Sequence, residues 1–292
     1  MIALDRDWLA RHPLPQPGAD TDKNKRGRVL AAGGSMLVPG ALLLTGEAAF
    51  RAGAGKVQLA TVEAAALPLG MRMPEAAAIA LPAGAGGELA GMAGERLADY
   101  LDRCDALVLG PGMGAKADAA PILRAVLASP ERAFALVIDA AALAAASDCA
   151  EAIRARPGRI VLTPHPGEMC ALMDCGEARV HDEPEAVVRE AAERFDATVV
   201  LKGSESWIAA PDAEVLHYPG GGPGLATGGS GDVLAGIVAG LLARGANARV
   251  ATAWAVWCHG EAGRQLAGRI APLGFLAREL LPAIPGLLEG AA

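Results

Sequence analysis

Short runs of apolar, β-favouring residues recur along the chain and end at glycine, proline or aspartate. They lack the alternation of apolar and polar residues that marks a strand with one wet face, so both faces of each strand are expected to be buried. Such runs are typical of parallel sheets. The predicted strands are Arg28 to Ala32, Lys56 to Ala60, Ala106 to Leu109, Ala135 to Ile138, Arg159 to Leu162 and Thr198 to Leu201.

Segments rich in alanine and leucine, with helical periodicity, follow these runs. The alternation predicts a parallel sheet covered by helices. No linker, low-complexity tail or fixed-period repeat divides the chain, so we expect residues 1–292 to form one domain, with 1–22 as an N-terminal lead-in. The predicted helices include Ala41 to Ala52, Ala119 to Leu127, Glu185 to Glu193, Val233 to Ala243 and Ala251 to Leu266.

The loops that follow the predicted strands are the places to search for a site, because ligands gather at the carboxyl ends of parallel strands. Five of these loops are glycine-rich or polar, which is hard to explain by packing alone. They read GGSMLVPG, GPGMG, DAAAL, TPHPGE and KGSES.

Composition narrows the class of protein. A net charge of −7 without a cluster of Lys and Arg argues against nucleic acid as a partner. The five cysteines are odd in number and lack C-x-x-C spacing, which favours reduced thiols and a cytoplasmic location. The N-terminus has no apolar signal region, and the apolar stretch at 29–46 is broken by glycine and proline. We therefore expect no membrane partner.

The stretch GGSGD, Gly228 to Asp232, immediately precedes an apolar helix. Backbone N–H groups of a glycine loop at a helix N-terminus can hold an anion such as a phosphoryl group. The predicted anion hole is Gly228, Gly229, Ser230 and Gly231. Asp232 is either the N-cap of the helix or a general base beside the phosphate. Ser230 could also serve the helix start, which would free Asp232 for chemistry.

Two further loops leave alternatives open. GPGMGA, Gly110 to Ala115, formally matches a dinucleotide fingerprint, but no acidic residue follows at the expected spacing. It is either a backbone wall that lets a ligand approach or a tight turn. In TPHPGE, two prolines fix His165, as suits an imidazole presented to a ligand. Glu168 is either a Mg²⁺ ligand through water or a first-turn helix acid.

KGSES, Lys202 to Ser206, places a lysine and a glycine directly after a buried strand, which suits a phosphate or a ribose. The sequence contains no P-loop motif, no G-x-S-x-G elbow and no H-E-x-x-H motif.

Taken together and in this order, the loops resemble the ADP- or ATP-dependent NAD(P)H-hydrate dehydratases of the ribokinase-like superfamily. The resemblance runs from Lys23 onward and includes MPE, LVLGPGMG, VIDAAAL, VLTPHPGEM, VVLKGSES and PGLATGGSGDVLAGIVAGLLARG. It implies a three-layer α/β/α fold with a central, mostly parallel sheet. It also implies repair of hydrated NADH or NADPH: a nucleotide phosphorylates the hydrate, phosphate is eliminated, and Mg²⁺ assists. Relatives without extra domains mostly resemble ADP-dependent enzymes.

The resemblance assigns residues position by position. Gly40, Gly112, His165 and Asp232 would contact the hydrated cofactor, with Asp232 as the base. The adenine nucleotide would contact Lys202, Gly203, Ser204, Glu205, Ser206 and Gly231.

Three positions depart from the family pattern: Ala141 replaces an acid, Gly222 replaces an asparagine and Asn24 replaces a glycine. No fused epimerase domain is expected, so epimerisation would need a separate protein. We also expect a homo-oligomer. An ATP-dependent version, a vitamin-precursor kinase of the same fold and a non-catalytic nucleotide-binding protein remain alternatives.

Overall fold

The computed structural model describes residues 1–18, 20–114, 116–130 and 133–290. Its ten strands form one sheet in the order β1-β10-β9-β8-β7-β6-β5-β2-β3-β4. The strands are β1 (Ile2–Ala3), β2 (Arg28–Ala32), β3 (Lys56–Val62), β4 (Ala77–Leu81), β5 (Ala106–Leu109), β6 (Ala135–Ile138), β7 (Ile160–Leu162), β8 (Thr198–Leu201), β9 (Ser206–Ala209) and β10 (Leu216–Tyr218).

Helices cover both faces of this sheet, and each face has its own apolar core. The three-layer α/β/α arrangement predicted from the sequence is confirmed. The helices are α1 (Arg6–Arg11), α2 (Gly40–Arg51), α3 (Glu63–Arg72), α4 (Ala93–Ala98), α5 (Lys116–Ala128), α6 (Ala141–Ala146), α7 (Ala150–Arg154), α8 (Pro166–Met173), α9 (Glu177–Asp182), α10 (Pro184–Phe195), α11 (Ser230–Ala243), α12 (Ala248–Arg269), α13 (Ala277–Leu280) and α14 (Ile284–Gly290).

All six predicted strands are present, with β3 extending to Val62 and β7 beginning at Ile160. The five predicted helices are α2, α5, α10, α11 and α12, each within a few residues of its expected bounds. Four strands were not predicted: β1, β4, β9 and β10. They lie toward the two ends of the sheet, and β9 pairs antiparallel with both neighbours. Short strands in such positions lack the continuous apolar run that identifies a central parallel strand.

The predicted N-terminal lead-in contributes to the core. Strand β1 pairs with β10, and Trp8 and Leu9 of α1 are buried. The indole Nε1 of Trp254, in α12, donates a hydrogen bond to the carbonyl oxygen of His12 at 2.8 Å. The start of the chain is thereby attached to the helical layer that contains α11 and α12.

Two features of the fold position the candidate site. The strands β8, β7, β6, β5 and β2 are neighbours and parallel, so their carboxyl ends form a continuous edge. Helix α11 packs closely on α2: a Cβ at Gly236 would overlap the carbonyl oxygen of Thr45, and one at Gly240 would lie 2.7 Å from the carbonyl oxygen of Ala49.

Within the described residues, no helix combines the length and apolarity needed to span a bilayer.

Candidate active site

The N-terminus of α11 is left open for an anion. Gly229 occupies the N-cap position with φ +89°, and no side chain caps the helix within the described part of the chain. Such a φ favours glycine. The alternative that Asp232 is the N-cap is therefore wrong, and Ser230 does not cap the helix either. The Ser230 N–H donates to the Thr227 carbonyl oxygen at 3.2 Å. A first turn without a side-chain cap suits a phosphoryl group, the ligand expected at Gly228 to Gly231.

A partly buried ion pair lies beside this loop. Lys202, just after β8, donates to Asp139 Oδ1 at 2.9 Å, and Thr163 Oγ1 donates to the same oxygen at 2.6 Å. Asp139 follows β6 and is only 3% exposed. Lys202 Nζ would lie 3.5 Å from a Cβ placed on Gly231, so the ammonium group borders the loop predicted to form an anion hole.

The charge of Lys202 is preserved by its neighbours. Burial alone would lower its pKa, but the carboxylates of Asp139 and Glu168 outweigh burial, and the pKa is raised. The amine therefore stays protonated at neutral pH. A fixed positive charge next to open N–H groups is an arrangement that stabilises transferring phosphoryl groups.

Asp232, in the first turn of α11, has an unusual protonation equilibrium. Burial raises its pKa, the negative charge of Asp139 raises it further and Lys202 lowers it, with a net value of about 7. A carboxylate with a pKa near neutrality can accept a proton and release it again under cellular conditions. The structure thus gives Asp232 the property that a general base needs.

His165 and Glu168 form a capping box at the start of α8. His165 Nδ1 accepts from the backbone N–H groups of Gly167 and Glu168 at 3.1 and 3.3 Å, and Glu168 Oε2 accepts from the His165 N–H at 2.8 Å. Nδ1 is therefore an acceptor, and the ring presents Nε2–H. The imidazole is held rigidly, as predicted, with over half of its surface exposed at the rim of the site.

A cavity of about 740 Å³ opens next to the anion hole and is large enough for a small-molecule ligand. Five of the six residues expected to bind the nucleotide line it: Lys202, Gly203, Ser204, Ser206 and Gly231. Glu205 does not line it, and its carboxylate instead pairs with His217 Nε2 at 2.9 Å. His165 lies at the edge of the same cavity.

Gly40 and Gly112 lie outside this cavity's lining, in two loops that contact each other. Gly40 begins α2, and Gly112 has φ +68° with its Cα so close to Val38 that a Cβ would lie 2.7 Å from the Val38 carbonyl oxygen. Of the GPGMGA stretch, Ala115 lies outside the described residues. The packing explains the glycine at 112 as a requirement for close approach between the loops.

The three departures from the family pattern have clear positions. Ala141 is the first residue of α6, and it follows Ala140, whose φ of +47° is strained for a residue with a side chain. Gly222 lines the cavity with φ +96°. The N–H of Asn24 donates to Asp22 Oδ1 at 2.6 Å in an exposed turn.

Sequence reasoning missed one partly buried polar residue of the cavity, His259. Its Nε2 lies 3.0 Å from Ser230 Oγ, yet it belongs to the middle of α12. No sequence pattern relates a histidine in the middle of a long helix to a serine 29 residues earlier. Only the packing of α12 against α11 brings the two together.

The fold and the site together define a ribokinase-like protein whose site suits phosphoryl transfer: an uncapped helix N-terminus, a partly buried lysine and a carboxylate with a pKa near neutrality. A family model described as NAD(P)H-hydrate dehydratase matches residues 29–286. The chain belongs to this family, as the sequence motifs predicted.

Individual relatives agree. The chain is 44% identical over 283 residues to the ADP-dependent (S)-NAD(P)H-hydrate dehydratase of Xanthomonas campestris, covering 96% of this chain and 94% of that protein. It is 36% identical to the bifunctional NAD(P)H-hydrate repair enzyme of Moorella thermoacetica, covering 98% of this chain but 53% of the longer protein. The crystal structure of the ADP/ATP-dependent NAD(P)H-hydrate dehydratase of Bacillus subtilis, obtained with ATP and Mg²⁺, superposes with a TM-score of 0.83 at 26% identity, covering 100% of this chain and 99% of that one.

Proposed function

We propose that this protein is an ADP-dependent (S)-NAD(P)H-hydrate dehydratase, a hydro-lyase that restores NADH and NADPH from their hydrated forms. The observation that carries the proposal is the Asp232 carboxylate, whose pKa is about 7, at the uncapped N-terminus of α11 beside Lys202. A base next to an anion hole is the pairing needed to phosphorylate a hydroxyl group.

In the first step, Asp232 removes the proton from the hydroxyl group of the hydrate. The hydroxyl oxygen forms a bond to the terminal phosphorus of ADP, and the bond from that phosphorus to the bridging oxygen breaks, releasing AMP. The N–H groups at Gly228 to Gly231 and the ammonium group of Lys202 stabilise the negative charge on the phosphoryl oxygens.

In the second step, the new phosphate ester leaves the nicotinamide ring. The carbon–oxygen bond breaks and phosphate leaves with its electron pair, while the neighbouring carbon gives a proton to water and the electron pair of that C–H bond forms the ring double bond. Phosphate is a far better leaving group than hydroxide, so the nucleotide supplies the driving force for removing the hydroxyl group. The products are AMP, phosphate and NADH or NADPH.

The residue roles follow the two sides of the site. Gly40, Gly112 and His165 would bind the hydrated cofactor, together with Asp232. Lys202, Gly203, Ser204, Ser206 and Gly231 would bind the nucleotide, supported by their place in one cavity. Glu205 lies outside the cavity lining, so it would contribute to nucleotide binding only by connecting Ser204 to Ser206.

Mg²⁺ would accompany the nucleotide. The described residues contain no group of three His, Cys, Asp or Glu side chains that could form a metal cage. Glu168 offers a single carboxylate, already bonded to the His165 N–H and 3.9 Å from Lys202 Nζ. These residues fit a Mg²⁺ ion held mostly by phosphates and water, with Glu168 reached through water. When bound, the ion would neutralise phosphate charge.

The test is to incubate the protein with hydrated NADH, Mg²⁺ and either ADP or ATP. Recovery of NADH absorbance, with AMP formed from ADP, is the expected result. Faster recovery with ATP would identify the donor as ATP. A stable phosphorylated alcohol without recovery would identify a small-molecule kinase, and no turnover with either nucleotide would contradict the proposal.

We further propose that the chain acts as one catalytic unit in the cytoplasm, assembles as a homo-oligomer and works alongside a separate epimerase. Exposed apolar side chains on α3, Leu67 and Met71, support self-association. The bifunctional relative from Moorella thermoacetica supports the functional link to a second repair activity. Light scattering of the purified protein, with and without a Leu67→Lys change, measures the oligomeric state.

A further inference from the structure

His259 is a partly buried polar residue of the nucleotide cavity to which the proposed reaction assigns no role. Its Nε2 lies 3.0 Å from the hydroxyl oxygen of Ser230, the first residue of α11. Both residues line the cavity, and Ser230 is 5% exposed. The pair therefore connects helix α12 to the loop that would hold the phosphoryl group.

The position of His259 is fixed by tight packing of its helix. The next residue, Gly260, lies so close to Tyr218 and Gly221 that neither Gly260 nor Gly221 has room for a Cβ atom. Lys202 borders the same loop at Gly231, and the ammonium group and the imidazole thus reach two successive residues of the anion hole.

The imidazole is neutral. Burial lowers its pKa to about 4, with a hydrogen bond to the backbone of Ser230 opposing this effect and the positive charge of Lys202 adding to it. A neutral imidazole carries one N–H and one acceptor nitrogen, so its contact with Ser230 has two possible directions.

The two directions differ in whether the hydroxyl proton of Ser230 remains free to bond a ligand. A serine hydroxyl has one proton and can donate only one hydrogen bond. If Ser230 donates to His259, its oxygen can only accept, and it faces phosphate oxygens that also only accept. If His259 donates to Ser230, the hydroxyl proton remains free for the ligand. An anion at the N-terminus of α11 favours the second arrangement.

We propose that His259 is a positioning residue for the nucleotide: its Nε2–H donates to Ser230 Oγ and directs the Ser230 hydroxyl proton to a phosphoryl oxygen held at the start of α11. The inference rests on the proposed function in that the cavity must bind an adenine nucleotide. Because Ser230 would contact the nucleotide, a change at His259 should alter nucleotide binding and leave binding of the hydrate unaltered.

The experiment compares His259→Leu, which removes the donor but retains bulk, with His259→Gln, whose amide nitrogen can donate from a similar position. We expect His259→Leu to weaken ADP binding about tenfold, as for the loss of one hydrogen bond to a charged group. The KM for ADP should rise by the same factor with the KM for hydrated NADH unchanged. His259→Gln should restore most of the affinity.

A double-mutant cycle with Ser230→Ala isolates the coupling. Because His259 acts through Ser230, the double variant should bind ADP no more weakly than Ser230→Ala alone. Losses that multiply would overturn the inference, as would equal rises in both KM values or a His259→Gln variant as weak as His259→Leu. The exposed residue His181, changed to Gln, is the matched control and should leave both KM values unaltered.

Calorimetric titration with ADP separates this inference from the proposed function. If the unmodified protein binds ADP but repairs no hydrate, the proposed function fails while the His259 comparison still gives a result. If the unmodified protein binds no ADP, the positioning role is overturned. Should His259→Leu unfold, as measured by circular dichroism, His259→Met, which also lacks a hydrogen-bond donor, takes its place in the comparison with His259→Gln and in the cycle with Ser230→Ala.

Discussion

The protonation of Asp232 should control the rate of the reaction near neutral pH. Its pKa is about 7, raised first by burial and then by Asp139, and partly offset by Lys202. Only the ionised carboxylate can accept the proton of the hydroxyl group. The rate with saturating ADP and limiting hydrate should therefore rise with pH and level off once Asp232 is ionised.

The expected size of this change in rate follows from the pKa of Asp232. With a pKa of about 7, roughly a tenth of the Asp232 side chains are ionised at about pH 6 and roughly nine tenths at about pH 8. The rate should therefore increase about fivefold to tenfold over this interval. An aspartate with its ordinary pKa of 3.8 would be fully ionised throughout and would give a flat profile.

The assay follows NADH absorbance from preformed hydrate across this range, with an independent check that the protein remains folded. Replacing Asp232 by Asn should reduce the rate by a factor of about 10² to 10⁴ and abolish the pH dependence of the remainder. A flat profile for the unmodified protein, or an Asp232→Asn variant that retains the rising limb, would refute the assignment of Asp232 as the base.

The same shift has an opposite consequence for stability. The folded state retains the Asp232 proton up to about pH 7, whereas the unfolded chain releases it near 3.8, so stability falls as pH rises through this window. Asp232→Asn removes that penalty above neutrality. Since one pKa unit is worth about 1.4 kcal/mol, the gain in the free energy of unfolding is on the order of 4 kcal/mol at most. Urea unfolding at about pH 8 measures it.

Three further predictions test the surroundings of the site. Asp139→Asn should move the rising limb of the pH profile to lower pH and Lys202→Gln to higher pH, because the two charges act on Asp232 in opposite directions; shifts in the same direction would contradict this. Ala140→Gly should raise the free energy of unfolding by about 1 kcal/mol by relieving the strain at φ +47°, and a loss of stability would show that the strain is absent. Gly236→Ala should cost about 2 kcal/mol because its Cβ would overlap the backbone of α2, whereas Gly286→Ala, with open space around it, should be neutral or stabilising in the same denaturant titration.

The central sheet was predictable because its strands are buried on both faces. The sequence AAIAL of β4 lacks polar residues as well, but its alanines also favour a helix, and only pairing with β3 decides the matter. The antiparallel strand β9 begins at Ser206, so the last residue of the predicted KGSES loop is the first residue of a strand that was not predicted. Edge elements depend on neighbours that local patterns do not reveal.

The gathering of the site was also predictable, because parallel strands bring their carboxyl ends to one edge. What could not be predicted is which groups pair within it. Asp139 belongs to the DAAAL loop, yet the sequence around it does not show that its carboxylate binds Lys202 and raises the pKa of Asp232. Likewise, Glu205 stands among nucleotide-binding residues in sequence, but its side chain leaves the cavity for His217.

The carboxylate beside an anion hole is explained by the balance of charges around it. At the N-terminus of a helix, the dipole alone would favour an ionised aspartate and a low pKa. Here burial and the nearby Asp139 outweigh the dipole and Lys202, so Asp232 is not a permanent charge that would exclude phosphate. Gly229 takes the N-cap position, and among the described residues no side chain caps the helix end that an anion would occupy. A residue that only stabilised the helix would cap it and stay ionised throughout the neutral range, whereas Asp232 does not cap α11 and exchanges its proton near pH 7, as proton transfer requires.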